Sequence, residues 1–230
     1  MNITLIGMSN LGKTHWATRL ETECGFRRID CDALVEAALS PYLQTKGYSG
    51  VQDVAKWMGQ PFDEQYPATS QEFVRCEREV MLQIVNVLRQ AQIKDGPPLV
   101  VDTCGSVIYA GDDIRKSLCE LTHVVYLEAS DAHRAQLFER YMAEPKPVIW
   151  GSVFSQGRGE TPHEALARCY PQLLSSRARL YEEWSHVKIP FETHRAVGIS
   201  PASVFSELQL GSGKPTQAER PGAQHGIQGR

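Results

Sequence analysis

Apolar and polar positions along the chain fall into two periods. Short solid apolar runs at Ile3 to Ile6, Pro98 to Val101 closing in Asp102, His123 to Leu127 and Val187 to Ile189 predict buried strands. Arg28-Ile29 before Asp30 predicts a further, shorter strand. Between the strands the apolar spacing becomes helical. Helices are expected from Lys13 to about Thr22, over Ala33 to Leu39 and around Val51 to Met58. Ser70 reads as the cap of a long helix with Phe73, Val80, Ile84 and Leu88 on one stripe. Further helices are expected before His123, after Ser130, from His163 to Trp184, and last after Ser200-Pro201, a capping residue followed by a first-turn proline.

Strands alternating with helices predict an α/β fold, a parallel sheet covered on both faces in a three-layer sandwich. Residues 143 to 162 carry Pro, Gly and charges and read as a mobile flap. From Gly211 onward large apolar residues nearly vanish, too few to offset the entropy of ordering. The expectation is one domain over residues 1 to 209 and a disordered tail over 210 to 230.

Composition narrows the classes. An apolar fraction of 42% and a charged fraction of 22% suit a globular core, and a net charge of -3 gives no electrostatic footprint for nucleic acid. The start, Met1 to Ile6, has no basic segment, and no apolar run is long enough to span a bilayer. Six cysteines without a C-x-x-C pair read as reduced thiols, mostly buried as small apolar residues. A cytoplasmic protein, with no membrane or nucleic-acid partner and monomeric, is the expectation.

Candidate chemistry begins at Gly7-Met8-Ser9-Asn10-Leu11-Gly12-Lys13-Thr14, which fits the phosphate-loop pattern G-x-x-x-x-G-K-[ST] between a strand and a helix. Gly7 and Gly12 permit the tight turn, and the amides of the loop, Asn10 and Leu11 included, point at an anion. Lys13 can reach the β- and γ-phosphates of ATP, and the Thr14 hydroxyl can ligate Mg2+. Asp30-Cys31-Asp32 follows the second strand, at the edge where open α/β sheets bind ligands. One carboxylate suits the metal's water shell and the other a substrate hydroxyl proton, but Asp at a helix start also suits a cap. Asp102, closing the third strand, stands where a Walker B carboxylate orders magnesium, and Gly105 allows close approach of a ligand. Lys146, Arg140 and Arg158 are candidate flap cations.

These motifs together resemble the shikimate kinase family, within the nucleoside-monophosphate-kinase-like P-loop proteins. The likeness runs from residue 2 to about 209. It takes in the phosphate loop, Asp30 and Asp32, Glu72-Phe73 with Glu77, the turn at 102 to 106, Lys146-Pro147-Val148-Ile149, and Arg177-Ala178-Arg179-Leu180-Tyr181. The resemblance implies a five-stranded parallel sheet in the order 2-3-1-4-5, a flap, and a substrate-binding region at about 32 to 75. It implies an ATP-dependent phosphotransferase whose acceptor is a small hydroxylated molecule. Lys13, Thr14 and Lys146 would serve ATP, Thr14, Asp30 and Asp102 the magnesium, and Asp32 the acceptor hydroxyls. Arg177 would meet an acceptor carboxylate, with Gly105 beside it. Two positions depart from the family: Val74 stands where it carries an acceptor-binding Arg, and Cys104-Gly105-Ser106 stands for its triple glycine. Kinases of other small acceptors, such as sugar acids or nucleosides, or a nucleotide-binding protein without transfer, are the rival readings. The absence of an N-K-x-D segment argues against a GTPase.

Overall fold

The computed structural model of the protein describes residues 1 to 208, so the expected tail over 210 to 230 lies outside the described residues. The elements run β1 (Ile3–Ile6), α1 (Lys13–Cys24), β2 (Arg27–Asp30), α2 (Cys31–Gln44), α3 (Val51–Met58), α4 (Tyr66–Ile93) and β3 (Leu99–Asp102). They continue with α5 (Asp112–Leu121), β4 (His123–Leu127), α6 (Asp131–Ala143), α7 (Pro162–Trp184), β5 (Val187–Ile189), α8 (Phe191–His194) and α9 (Pro201–Val204). The five strands form one sheet in the order β2-β3-β1-β4-β5, and every pairing is parallel.

Alternation along each strand sends successive side chains into two separate cores. Ile3, Leu5, Val100, Val125, Leu127 and Ile189 pack with Trp16, Ala17 and Leu20 of α1 and with Val204 and Phe205. Ile6, Leu99, Val101, Val124 and Tyr126 face the other way, onto α2, α4, α5 and α7. Both faces of the sheet are therefore covered, as the solid apolar runs required. Trp57, Trp150 and Trp184 are buried in the second core, and all six cysteines are free thiols.

Two helix boundaries differ from the sequence expectation. The long helix starts at Tyr66, not after Ser70, because Pro67 in its first turn needs no N–H partner there. Ser70 instead sits inside the helix and donates to Pro67 O at 3.3 Å. Helix α2 continues past Leu39 through Pro41 to Gln44. Val35, Leu39 and Leu43 are buried at four-residue spacing, so packing of that stripe outweighs the one N–H that Pro41 removes.

The irregular stretch from 144 to 161 is fastened at its centre, where Val148, Ile149 and Trp150 are buried. The Tyr66 hydroxyl donates to Val148 O at 2.9 Å and accepts from the Trp150 amide at 2.8 Å. Arg177 Nη2 donates to Ile149 O at 2.9 Å.

Candidate active site

The carboxyl ends of the strands carry a cleft of about 380 Å³. Its centre is the loop after β1. Gly7 has φ 143°, and a Cβ there would lie 2.8 Å from Leu127 O, so only glycine lets the loop press against the end of β4. Asn10, at φ 66°, and Gly12, at φ 94°, complete the turn. Gly12 caps α1 without a side-chain bond, leaving the first-turn amides available to an anion. Ser9, Asn10, Gly12, Lys13 and Thr14 line the cleft, whereas the Leu11 side chain is buried in the core behind the loop. The Lys13 ammonium is nearly buried and donates to Gly7 O at 2.9 Å and Met8 O at 3.1 Å, which ties it across its own loop.

Sheet register brings the acidic residues together. Asp30 and Asp102 are paired positions of β2 and β3. Arg28 Nη2 bonds Asp30 Oδ2 and lies 3.4 Å from Asp102 Oδ2. Asp30 Oδ1 accepts from the Ala33 amide at 3.1 Å, so this residue is the N-cap of α2 and both its oxygens are engaged within the chain. Asp102 is buried, and burial raises its carboxyl above the usual range; Lys13, the Thr14 hydroxyl and Arg28 oppose that rise. Thr14 and Asp102 thus stand side by side, a pair of hard oxygen donors of the kind magnesium takes. Asp32, in the first turn of α2, is exposed and lines the cleft with Val35 and Glu36 on the same helical face.

Gly105 also lines the cleft. A Cβ on it would come within 3.0 Å of Ser9 Oγ, so glycine here lets the turn after β3 close on the phosphate loop. Its carbonyl accepts from the Tyr181 hydroxyl at 2.5 Å. Lys146 and Arg140 reach the cleft from the other side, but Arg158 and Arg179 are exposed away from it. Arg177 does not line this cleft. It is buried in a narrow adjoining cavity, its guanidinium 5.5 Å from the Tyr109 ring centre and bonded to Ile149 O. The resemblance implied that Arg177 meets an acceptor carboxylate; the structure places it in this adjoining cavity, where the anchored 144 to 161 segment engages it.

Two residues escaped the sequence reading. Arg195 lines the cleft, its Nη1 3.4 Å from where a Gly12 Cβ would be. It is carried there by His194, whose carbonyl accepts from Trp16 Nε1 at 3.1 Å and whose Nε2 bonds Glu128 O at 2.8 Å. The only signal was position, on the loop after the last strand at the ligand-binding edge. Glu77, known only as part of a resemblance, is 1% exposed, and neither carboxyl oxygen finds a hydrogen-bond partner among the described residues. Burial pushes its carboxyl up to about 7; Ser106, Arg177 and Cys104 oppose that shift and Asp32 adds to it.

No family model matches the sequence, and no curated protein matches it either. Solved structures do. The chain is similar to shikimate kinase from Acinetobacter baumannii, solved in complex with shikimate, at 21% identity and a TM-score of 0.53, covering 91% of this chain and 90% of that one. Shikimate kinase from Bacteroides thetaiotaomicron is 18% identical, with a TM-score of 0.55 and coverage of 91% and 96%. The enzyme from Aquifex aeolicus is 16% identical, with a TM-score of 0.50 and coverage of 91% and 95%. Over nine-tenths of its length, and with the same strand order that the resemblance implied, the chain has the fold of the shikimate kinases.

Proposed function

We propose that the protein is an ATP-dependent phosphotransferase that phosphorylates a hydroxyl of a small metabolite. One observation carries this reading: a phosphate loop with Lys13 and Thr14 shares a single cleft with an exposed carboxylate, Asp32. Phosphoryl transfer is mostly positioning and charge neutralisation, and the cleft supplies both. The loop amides, Lys13, Arg140, Lys146 and Arg195 converge on where phosphates bind. Thr14 and Asp102 are the residues that would hold magnesium; that ion, when bound, neutralises charge on the phosphate oxygens. Asp32 accepts the proton of the acceptor hydroxyl.

Lys13→Ala tests the reading, since it removes a positive charge from the phosphate site without touching either core. Removing one preorganised electrostatic contact of this kind costs roughly 10²- to 10³-fold in turnover. A Lys13→Ala protein that folds and consumes ATP with an acceptor like the parent refutes the assignment.

A further inference from the structure

Strands β2 and β3 end side by side in two carboxylates, Asp30 and Asp102, and that pair already has a cation. Arg28 stands two places before Asp30 on β2, and the period of two along a strand puts both side chains on one face. One nitrogen, Nη2, serves both acids: it bonds Asp30 Oδ2 and lies 3.4 Å from Asp102 Oδ2. The other, Nη1, donates to Thr18 Oγ1 at 3.2 Å, so the fork is braced by α1, the helix that follows the phosphate loop. The Arg28 side chain is 19% exposed and that of Asp102 only 5%, so water screens this contact poorly. Arg28 Nε is buried and finds no hydrogen-bond partner among the described residues. An unmet buried donor is costly, and the two carboxylates are what hold the guanidinium there in spite of it.

The charges around Asp102 nearly cancel. Asp30 and Asp102 are negative, Arg28 and Lys13 are positive, and both cations act on the Asp102 carboxyl beside the Thr14 hydroxyl. Magnesium gives up its water reluctantly and is bound by one or two carboxylates together with substrate phosphates. A divalent ion that arrives alone beside Thr14 and Asp102 meets a pair already neutralised, with a guanidinium on the same carboxylate. Repulsion between cations a few ångströms apart at a poorly hydrated site exceeds a tenfold effect on affinity. A nucleotide reverses the balance, because its phosphates bring the negative charge that the pair has lost to Arg28.

We propose that Arg28 is the resident counter-ion of the Asp30–Asp102 pair, a positioning residue that keeps divalent metal off the empty protein and admits it only together with nucleotide phosphates. This inference rests on the kinase reading above and adds an order of binding to it. A purely structural Arg28 predicts the opposite sign: losing a brace leaves metal affinity unchanged or lower, whereas losing a competing cation raises it.

The test uses the full-length protein with Mn2+ as the probe, bound ion being read from loss of the free-ion electron paramagnetic resonance signal. Uptake by the parent is expected only with ADP present, beyond what ADP takes up alone in the same buffer. Arg28→Gln is expected to bind Mn2+ without nucleotide at least tenfold more tightly than the parent. Arg28→Lys loses the fork but keeps the charge, and its nucleotide-free affinity is expected to stay within about threefold of the parent. Circular dichroism establishes that each variant is folded. Parent protein that takes up Mn2+ equally with and without ADP overturns the inference, and that result needs no variant. Arg28→Gln with unchanged or weaker Mn2+ binding, or Arg28→Lys binding as tightly as Arg28→Gln, also overturns it. In each of these cases a thermal shift of the parent by ADP leaves the kinase reading standing. A parent that shows neither that shift nor ADP-dependent uptake overturns the kinase reading, and the inference with it.

Discussion

At the scale of single residues, the sequence made the phosphate loop readable but left the roles of its acids divided. Asp30 and Asp32 are two positions apart and equally suited to capping or chemistry; the register of β2 on β3 separates them. Asp30 is spent on the Ala33 amide and Arg28, while Asp32 alone lines the cleft. Asp32→Asn is therefore expected to lower kcat by roughly 10²-fold or more with the ATP KM little changed. Asp30→Asn keeps the cap and is expected to cost less than about tenfold; steady-state kinetics on both variants decide the division, and equal losses contradict it. Glu77 makes a separate prediction about stability. Its folded carboxyl titrates at about 7, against 4.5 when free, because burial dominates over Ser106, Arg177 and Cys104. The folded state thus binds the extra proton between those values, and stability falls as pH rises from 4.5 through 7. The full cost above pH 7 is roughly 3 kcal/mol. Glu77→Gln is expected to flatten this slope in denaturant melts taken from pH 4.5 to 8, and an unchanged slope rules the assignment out. Neither the missing partner of Glu77 nor the reach of Arg195 was legible in sequence, since both depend on what the fold brings near from other segments.

At the scale of elements, every strand was legible, because buried parallel strands are short solid apolar runs and the turns after them carry their own chemistry. Boundaries failed where local rules meet packing. Ser70 looked like a cap, yet the helix begins at Tyr66 since Pro67 is a better first-turn residue than a barrier. The stretch at 143 to 162 read as a mobile flap; in the structure residues 144 to 161 are irregular, and their anchorage could not be seen in the sequence. Tyr66 lies 82 residues from Val148, and only the folded chain shows that one hydroxyl serves both Val148 O and the Trp150 amide. Tyr66→Phe removes both bonds and leaves a buried amide unmet, which is expected to cost about 1–3 kcal/mol. Hydrogen exchange is expected to rise in the 144 to 161 segment and not in the strands. Protection unchanged in that segment contradicts its being fastened by Tyr66.

At the scale of the whole molecule, the order β2-β3-β1-β4-β5 puts the phosphate loop between two flanks, and the flanks differ in charge. Cations come from segments after β4 and β5, acids from segments around β2 and β3, and Lys13, opening α1 after the β1 loop, stands between them. The strand alternation with helices was enough to expect the architecture; the polarity of the cleft needed the sheet order, because residues as far apart as Asp32 and Arg195 share one opening. Under the proposed function, the cationic flank would hold the polyphosphate and the acidic flank would present the acceptor hydroxyl to it. The most direct measurement is acceptor-dependent ADP formation by the purified full-length protein across small hydroxylated metabolites, with the phosphoester product identified by mass and Lys13→Ala run alongside. A kinase gives a phosphorylated acceptor in step with ADP, and Lys13→Ala lowers that rate by roughly 10²-fold or more while remaining folded. ADP formed at the same rate with and without every acceptor, or equally by the parent and Lys13→Ala, contradicts it.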